Sequence, residues 1–160
     1  MPKWILGMVL WFGFGQALLA QNVEILTFEQ LQVRIANQKQ EVVLYNFWAT
    51  WCKPCVEEMP AFEKLALDYR EKGVAVVFVS IDFKSKHAKV VEFVGQKQLK
   101  SEVVLLNAPD YNAWIDKVST EWSGAIPATL VVKRTGKVSK FHEGSFTYEE
   151  LVNFIKPLLK

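Results

Sequence analysis

The sequence predicts an α/β fold in which a central mixed β-sheet carries helices on both faces. In the first half of the chain, apolar runs rich in β-branched residues alternate with segments of helical periodicity, which is typical of parallel strands joined by right-handed crossovers. Two closely spaced strands and a final helix follow. The 160 residues are 51% hydrophobic and 22% charged, as in one globular domain. The net charge of +2 argues against a nucleic-acid-binding protein.

The first 20 residues differ from the rest of the chain. One charged residue, Lys3, precedes an apolar run over residues 4–15, and the small-residue segment 17–20 follows, as in a secretory signal peptide. The run is shorter than the roughly 20 apolar residues that cross a bilayer. An uncleaved anchor in the inner membrane and a buried N-terminal helix remain alternatives. We expect a signal peptide over 1–20 and a periplasmic or otherwise exported domain over 21–160, in an oxidising compartment.

The elements before and after the first buried strand have local signals. Residues 27–30 (TFEQ) form a capping box that opens a short helix ending near Asn37. Residues 41–48 are β-branched and aromatic, which predicts a buried strand. Apolar residues recur at helical spacing after Cys55, and Gly73 is placed to end that helix.

The middle of the chain predicts two more strands. Residues 74–81 are almost continuously apolar, as expected for a central parallel strand that is covered on both faces. A helix over 86–96, a short strand over 103–106 and a short helix over 111–118 follow from the apolar spacing.

The last third predicts a hairpin and a closing helix. Strands over 128–133 and 138–142 flank a tight turn at 135–137 (TGK). A second capping box at residues 147–150 (TYEE) opens the last helix, which Pro157 ends.

Two cysteines stand where the first buried strand meets its helix. Cys52 and Cys55 are spaced so that they can close a disulfide with little rearrangement. The amides and partial positive charge of a helix N-terminus stabilise a thiolate on Cys52, and Lys53 adds a nearby cation. Pro54 falls in the first turn, where its missing N–H is not needed. We therefore expect Cys52 to attack a substrate disulfide and the deeper Cys55 to resolve the mixed disulfide.

A structural disulfide and half of a metal site are the alternatives for this pair. A structural disulfide does not require a strand-to-helix junction. A zinc site would need further ligands, and His87 and His142 lie far from the cysteines in sequence. We therefore favour a redox-active Cys52–Cys55 disulfide, for which neither a metal nor an organic cofactor is needed because the two thiols carry the electrons.

Residues 46–55 (NFWATWCKPC) closely resemble the thioredoxin superfamily, and within it the TlpA/ResA-like group of exported thiol–disulfide oxidoreductases. The resemblance covers most of residues 25–158 and implies a thioredoxin-like fold. Trp48 and Trp51 match the aromatic residues beside the group's active site, and Trp51 is expected to contact the substrate.

Three further residues match this group. Pro60 corresponds to the proline that kinks the active-site helix, where it removes a backbone hydrogen bond. Ile126 and Pro127 correspond to the cis-proline element that faces the disulfide. The resemblance implies that the backbone of Ile126 pairs with an extended segment of the substrate.

A departure from cytosolic thioredoxins places the resemblance in the TlpA/ResA-like group. Asn46 stands where cytosolic thioredoxins have an aspartate, and Glu58 matches the acidic residue of this group. Glu58 is one helical turn after Cys55, so a partly buried carboxyl there would exchange a proton with the resolving thiol. The alternative is a solvated helix carboxylate, which is our expectation for Glu57. Residues 82–116 resemble the insertion of this group.

The resemblance implies a monomeric reductant of disulfides in other exported proteins. Apocytochrome c is among the group's substrates, and a membrane thiol-transfer protein supplies the electrons. We expect no nucleic acid partner, and contact with the membrane only through residues 1–20. A thiol peroxidase of the same fold is an alternative, although the P-x-x-x-T-x-x-C pattern of peroxiredoxins is absent because Tyr45 and Ala49 occupy its first two positions. A binding module whose disulfide never turns over is a further alternative.

Overall fold

Six strands and five α-helices lie within residues 22–134 and 138–159, which are the residues that the computed structural model describes. The signal peptide predicted over 1–20 and the turn predicted at 135–137 lie outside the described residues. In chain order the elements are β1 Glu24–Leu26, α1 Phe28–Ala36, β2 Val42–Trp48, α2 Lys53–Asp68, β3 Val74–Ser80, α3 His87–Lys97, β4 Glu102–Leu106, α4 Ile115–Val118, β5 Ala128–Lys133, β6 Val138–Glu143 and α5 Tyr148–Ile155. No helix in these two ranges combines the length and the apolarity that a membrane crossing requires.

The strands form one mixed sheet in the order β1-β4-β3-β2-β5-β6. Strands β1 to β4 are parallel, and β5 and β6 are antiparallel to their neighbours. Apart from β1, this agrees with the mixed sheet that the sequence predicts, in which parallel strands form the first half of the chain. All seven residues of β2 are buried because β2 lies in the interior of the sheet with both faces covered. Because β2 and β3 pair in parallel, their carboxyl ends lie side by side at one end of the sheet, and the loop that carries the cysteines begins there.

Helices cover both faces of the sheet. On one face, Phe62 of α2 contacts Phe78 of β3 and Phe146, with ring centroids 6.1 and 6.2 Å apart. On the opposite face, Phe47 of β2 packs on Trp122 with centroids 4.7 Å apart and also contacts Trp114. Because successive residues of a strand point to opposite faces, these two aromatic clusters form separate layers of the core.

Both predicted capping boxes are present. Thr27 and Thr147 each accept a hydrogen bond from the third amide of their helix, and Gln30 and Glu150 bond back to the cap amides. The helix C-terminus that we assigned to Gly73 is wrong by a few residues: α2 ends at Asp68, and Gly73 ends the 3-10 turn that follows. Gly73 has a φ of 73°, and a Cβ there would lie 3.0 Å from the Cβ of Glu41, so glycine is required for both reasons.

Strand β1 was not predicted from the sequence. It has three residues and pairs only with β4, in parallel, from Glu24 opposite Val104 to Leu26 opposite Leu106. A strand this short has too few residues to show a period, so its pairing partner defines it.

Candidate active site

The two cysteines form a disulfide at the start of α2. The Cα atoms of Cys52 and Cys55 are 5.3 Å apart, and Cys52 is the N-cap of the helix. The amide of Cys55 donates to the Sγ atom of Cys52 over 3.3 Å, and Pro54 stands in the first turn. A negative charge on the Cys52 sulfur in the reduced protein would therefore face an amide donor and the positive end of the helix dipole.

The two sulfurs differ in exposure. Cys52 is 5% exposed and Cys55 is completely buried, so solvent and substrates reach the pair through Cys52. Trp51, immediately before Cys52, is 65% exposed. The ammonium group of Lys53 lies 3.6 Å from the carboxylate of Glu57, and both side chains face solvent, as predicted for Glu57. The Lys53 charge is therefore partly compensated and screened by water.

A loop far along the chain brings a second feature to the same sulfur. The bond between Ile126 and Pro127 is cis, as the resemblance implied, and the carbonyl oxygen of Ile126 lies 3.8 Å from the Sγ atom of Cys52. Gly144 donates its amide to the carbonyl oxygen of Pro127 over 2.8 Å. The carbonyl of Ile126 thus lies beside the sulfur that is open to substrate, although 74 residues separate the two in the sequence.

Glu58 is buried and bound on both oxygens, so the solvated alternative for Glu58 is wrong. It is 4% exposed, its Oε1 atom accepts from Nδ2 of Asn46 over 2.9 Å, and its Oε2 atom accepts from the amide of Phe146 over 2.8 Å. Burial raises the pKa of Glu58 to about 7, although these two hydrogen bonds act in the opposite direction. The carboxyl can therefore gain or lose a proton near neutral pH.

Asn46 connects Glu58 to β5. Its Nδ2 atom also donates to the hydroxyl of Thr129 over 3.2 Å, whereas its Oδ1 atom is buried without a hydrogen-bond partner. If Glu58 is protonated, a 180° rotation of the Asn46 amide would exchange the positions of Nδ2 and Oδ1. The Oδ1 atom would then accept a hydrogen bond from the O–H group of Glu58. A hydrogen bond between Asn46 and Glu58 can therefore be made in either protonation state.

The two tryptophans of the motif have different positions. Trp48 is fully buried at the end of β2 and packs on Phe93 of α3, with ring centroids 5.0 Å apart, whereas Trp51 is exposed.

Pro60 lies within α2, as predicted, and cannot donate the helical hydrogen bond to the carbonyl of Val56.

Asp82 is a site residue that the sequence analysis did not single out. Its carboxylate is 4% exposed and accepts from the amide and hydroxyl of Thr50, over 2.9 and 2.8 Å, and from the hydroxyl of Ser80 over 2.9 Å. Thr50 lies in the loop between β2 and Cys52, so Asp82 fixes the backbone that leads to the disulfide. An acidic residue directly after a central strand was the available signal, because the ends of β2 and β3 share one edge of the sheet.

A wide groove of about 1540 Å³ is lined by residues near the starts of β2, β3 and β4 and extends along α2 as far as Val56. Its lining residues include Val33, Tyr45, Leu67 and Val77, and neither cysteine lines it.

Within the part of the chain that the structure describes, no three His, Cys, Asp or Glu side chains are grouped closely enough to hold a metal ion.

A disulfide at a helix N-terminus, a cis-proline beside its exposed sulfur and a mixed sheet in the order described define a thioredoxin-like thiol–disulfide oxidoreductase. Comparison with known proteins agrees with this class. The AhpC/TSA family model matches residues 18–141, and the chain belongs to that family.

One relative and one solved structure that match this chain carry a thiol–disulfide activity in their names. The chain is 32% identical over 143 residues to the thiol-disulfide oxidoreductase ResA of Bacillus thuringiensis, which covers 87% of this chain and 76% of that protein. A putative thiol:disulfide interchange protein DsbE from Chlorobium tepidum has 25% identity and a TM-score of 0.62, over 80% of this chain and 84% of that one. StoA from Bacillus subtilis, with 24% identity and a TM-score of 0.57 over 73% and 84% of the two chains, supports the fold.

Proposed function

We propose that this oxidoreductase is exported and reduces disulfides in other exported proteins through Cys52 and Cys55. The observation that carries the proposal is the position of the Cys52 sulfur, which is the accessible member of the pair at the start of α2, 3.8 Å from the Ile126 carbonyl. Export is supported by the signal-peptide character of residues 1–20, and the exported body would be the single domain 21–160.

The proposed reaction has two exchanges. The Cys52 thiolate attacks one sulfur of a client disulfide, so that a Cys52–client disulfide forms and the other client sulfur leaves as a thiolate. Cys55, as thiolate, then attacks the Cys52 sulfur, which closes the Cys52–Cys55 disulfide and releases the second client sulfur. Two electrons pass from the pair to the client, and the two protons of the enzyme thiols end on the client thiols. No further cofactor is needed.

We propose that Glu58 accepts the proton of Cys55 before the second exchange. The two residues are one turn apart on the buried side of α2, and the pKa of about 7 that burial gives Glu58 suits a base at neutral pH. Asn46 would act as a positioning residue, because it binds one oxygen of this carboxyl.

The client would lie across the loop of Ile126 and Pro127. The resemblance supports an extended client segment paired with the Ile126 backbone, whose carbonyl lies 3.8 Å from the Cys52 sulfur. Trp51 is an exposed aromatic residue immediately before Cys52 in the chain. We assign Trp48, Lys53, Pro54 and Pro60 to the support of the active-site helix and its loop. The proposed clients include apocytochrome c, the proposed electron donor is a membrane thiol-transfer protein, and the proposed enzyme is a monomer; these three proposals rest on the resemblance.

A trapping experiment tests the proposal. In the full chain produced in an exporting bacterium, Cys55→Ser should accumulate mixed disulfides between Cys52 and exported clients that dithiothreitol releases. The matched control, Cys52→Ser with Cys55→Ser, should form none. Absence of adducts in the single variant, together with failure of the wild-type chain to reduce insulin, would overturn the proposal in favour of a non-cycling disulfide.

Two further measurements separate the alternatives. Rapid consumption of hydrogen peroxide by the reduced chain, without reduction of protein disulfides, would support the thiol peroxidase alternative instead. The reduction potential gives the direction of electron flow. A value of about −250 mV agrees with a reductase, and a value of about −120 mV contradicts it and indicates an oxidase.

A further inference from the structure

A carboxylate at the end of β6 binds the loop that leads to the cis-proline. Glu143, the last residue of β6, accepts from the amide of Ser123 over 2.8 Å, and the hydroxyl of Ser123 lies 2.8 Å from both carboxylate oxygens. The two residues are 20 positions apart in the sequence. Hydrogen bonds to an ionised acceptor are stronger than those between neutral groups, so this contact fixes Ser123 on β6. Glu143 has no role in the site described so far.

The hydroxyl of Ser123 also binds the residue before Ile126. Its oxygen accepts from the amide of Ala125 over 3.4 Å, and the carbonyl of Ala125 accepts from the indole N–H of Trp122 over 2.8 Å. Trp122 is buried and packs on Phe47, with ring centroids 4.7 Å apart. Ala125 is therefore held both by the Ser123 hydroxyl and by a side chain of the core.

The residue after β6 holds the other end of this loop. The amide of Gly144 donates to the carbonyl of Pro127 over 2.8 Å, so two consecutive residues of the chain bind the two ends of the loop. Residues 124 and 125 between these ends are glycine and alanine, whose side chains offer no hydrogen bond of their own. The position of the Ile126 carbonyl, 3.8 Å from the Cys52 sulfur, therefore depends on the hydrogen bonds that fix the loop.

We propose that Glu143 is a positioning residue that holds the Ile126 carbonyl beside the Cys52 sulfur by binding Ser123. This inference rests on the proposed function, in which an extended client segment pairs with the Ile126 backbone. Without the Glu143 carboxylate, the amide and hydroxyl of Ser123 bind water and the loop can shift, whereas the helix N-terminus at Cys52 is unchanged. The client disulfide is then less well aligned with the sulfur, and a misplacement of about 1 Å can slow a reaction about 100-fold.

Rates with two disulfides of different size test this role. Insulin is a polypeptide that can pair with the Ile126 backbone, whereas dipyridyl disulfide is too small to do so and reports only the reactivity of Cys52. In single-turnover reactions of the reduced full chain, Glu143→Ala should lower the rate constant with insulin about tenfold and leave that with dipyridyl disulfide unchanged. Glu143→Gln should keep most of the insulin rate, because its amide oxygen still accepts from Ser123.

Glu121→Ala is the matched control. Glu121 is exposed shortly before the same loop, and within the described residues its carboxylate has no hydrogen-bond or ion-pair partner, so both rates should equal those of the wild type. A second comparison tests the route through Ser123. In a Ser123→Ala background, Glu143→Ala should slow the reaction with insulin less than it does in the wild type, because the hydroxyl that the carboxylate binds is already absent.

The outcomes separate the positioning role from the proposed function. An insulin rate that Glu143→Ala does not change, or an equal fall in the rates with both disulfides, would overturn the positioning role and leave the proposed function intact. A Glu143→Gln variant as slow with insulin as Glu143→Ala would also overturn it, because the hydrogen-bond acceptor would then not matter. A wild-type chain that reacts with dipyridyl disulfide but not with insulin would count against the proposed function itself.

Discussion

Replacing Glu58 with glutamine should make the stability of the folded chain less dependent on pH. Burial raises the pKa of Glu58 from 4.5 to about 7, so ionisation in the folded state is about 3 kcal/mol less favourable than in the unfolded state. Because the pKa is raised on folding, the contribution of the neutral carboxyl is complete below pH 4.5 and is lost as the pH rises to about 7. Glutamine, which resembles the neutral acid, does not have this loss.

Urea unfolding of the oxidised full chain from about pH 4 to about pH 8.5 measures this effect. The free energy of unfolding of Glu58→Gln, minus that of the wild type, should increase by about 3 kcal/mol between the two ends of the range. Glu57→Gln is the matched control on the same helix, because Glu57 is exposed and its loss removes no buried carboxyl. A difference for Glu58→Gln that is constant with pH, or that falls as the pH rises, would refute the argument from burial.

The same substitution should slow the exchange that Cys55 performs. Removal of a positioned base commonly lowers a rate by about 100-fold or more. In the wild type, release of the client should accelerate as the pH rises through about 7, where Glu58 becomes ionised, and the variant should lack this increase. Stopped-flow measurement of client release gives both results; an unchanged pH profile would remove Glu58 from the mechanism.

Three other substitutions have effects that urea unfolding can measure. Thr27→Ala removes the N-cap of α1 and should cost about 1 kcal/mol, with insulin reduction unchanged because α1 is remote from the disulfide. Phe62→Ala should cost about 3–5 kcal/mol, because the ring is fully buried between Phe78 and Phe146; a smaller loss than that of Thr27→Ala would contradict the core packing. Asp82→Asn should cost about 1–3 kcal/mol, because it removes an acceptor from buried donors; an unchanged stability would show that the loop before Cys52 does not depend on this carboxylate.

Local signals were sufficient for much of the fold and for the cysteine pair. Both capping boxes were predicted because their hydrogen bonds join residues three positions apart. The strand-to-helix junction at Cys52 was predicted because an apolar run changes there to helical spacing. The cis bond before Pro127 came from the resemblance, since the residues on either side carry no local signal for it.

Residue spacing did not predict contacts between distant residues, and the approach of Ile126 to Cys52 came from the resemblance. The amide of Phe146 binds Glu58 across 88 residues, and Asp82 binds Thr50 across 32. Both contacts depend on where the sheet order places the loop ends, and residue spacing does not give that order. The same reason explains β1, which is defined by its partner β4.

Alkylation of the reduced full chain tests the central claim, that the helix N-terminus makes Cys52 a reactive thiolate. The chain would be treated with iodoacetamide at about pH 7, and mass spectrometry would follow the labelling of each cysteine over time. We predict that Cys52 reacts at least about tenfold faster than free cysteine and well before Cys55. Labelling of Cys52 no faster than free cysteine, or of Cys55 first, would contradict the account.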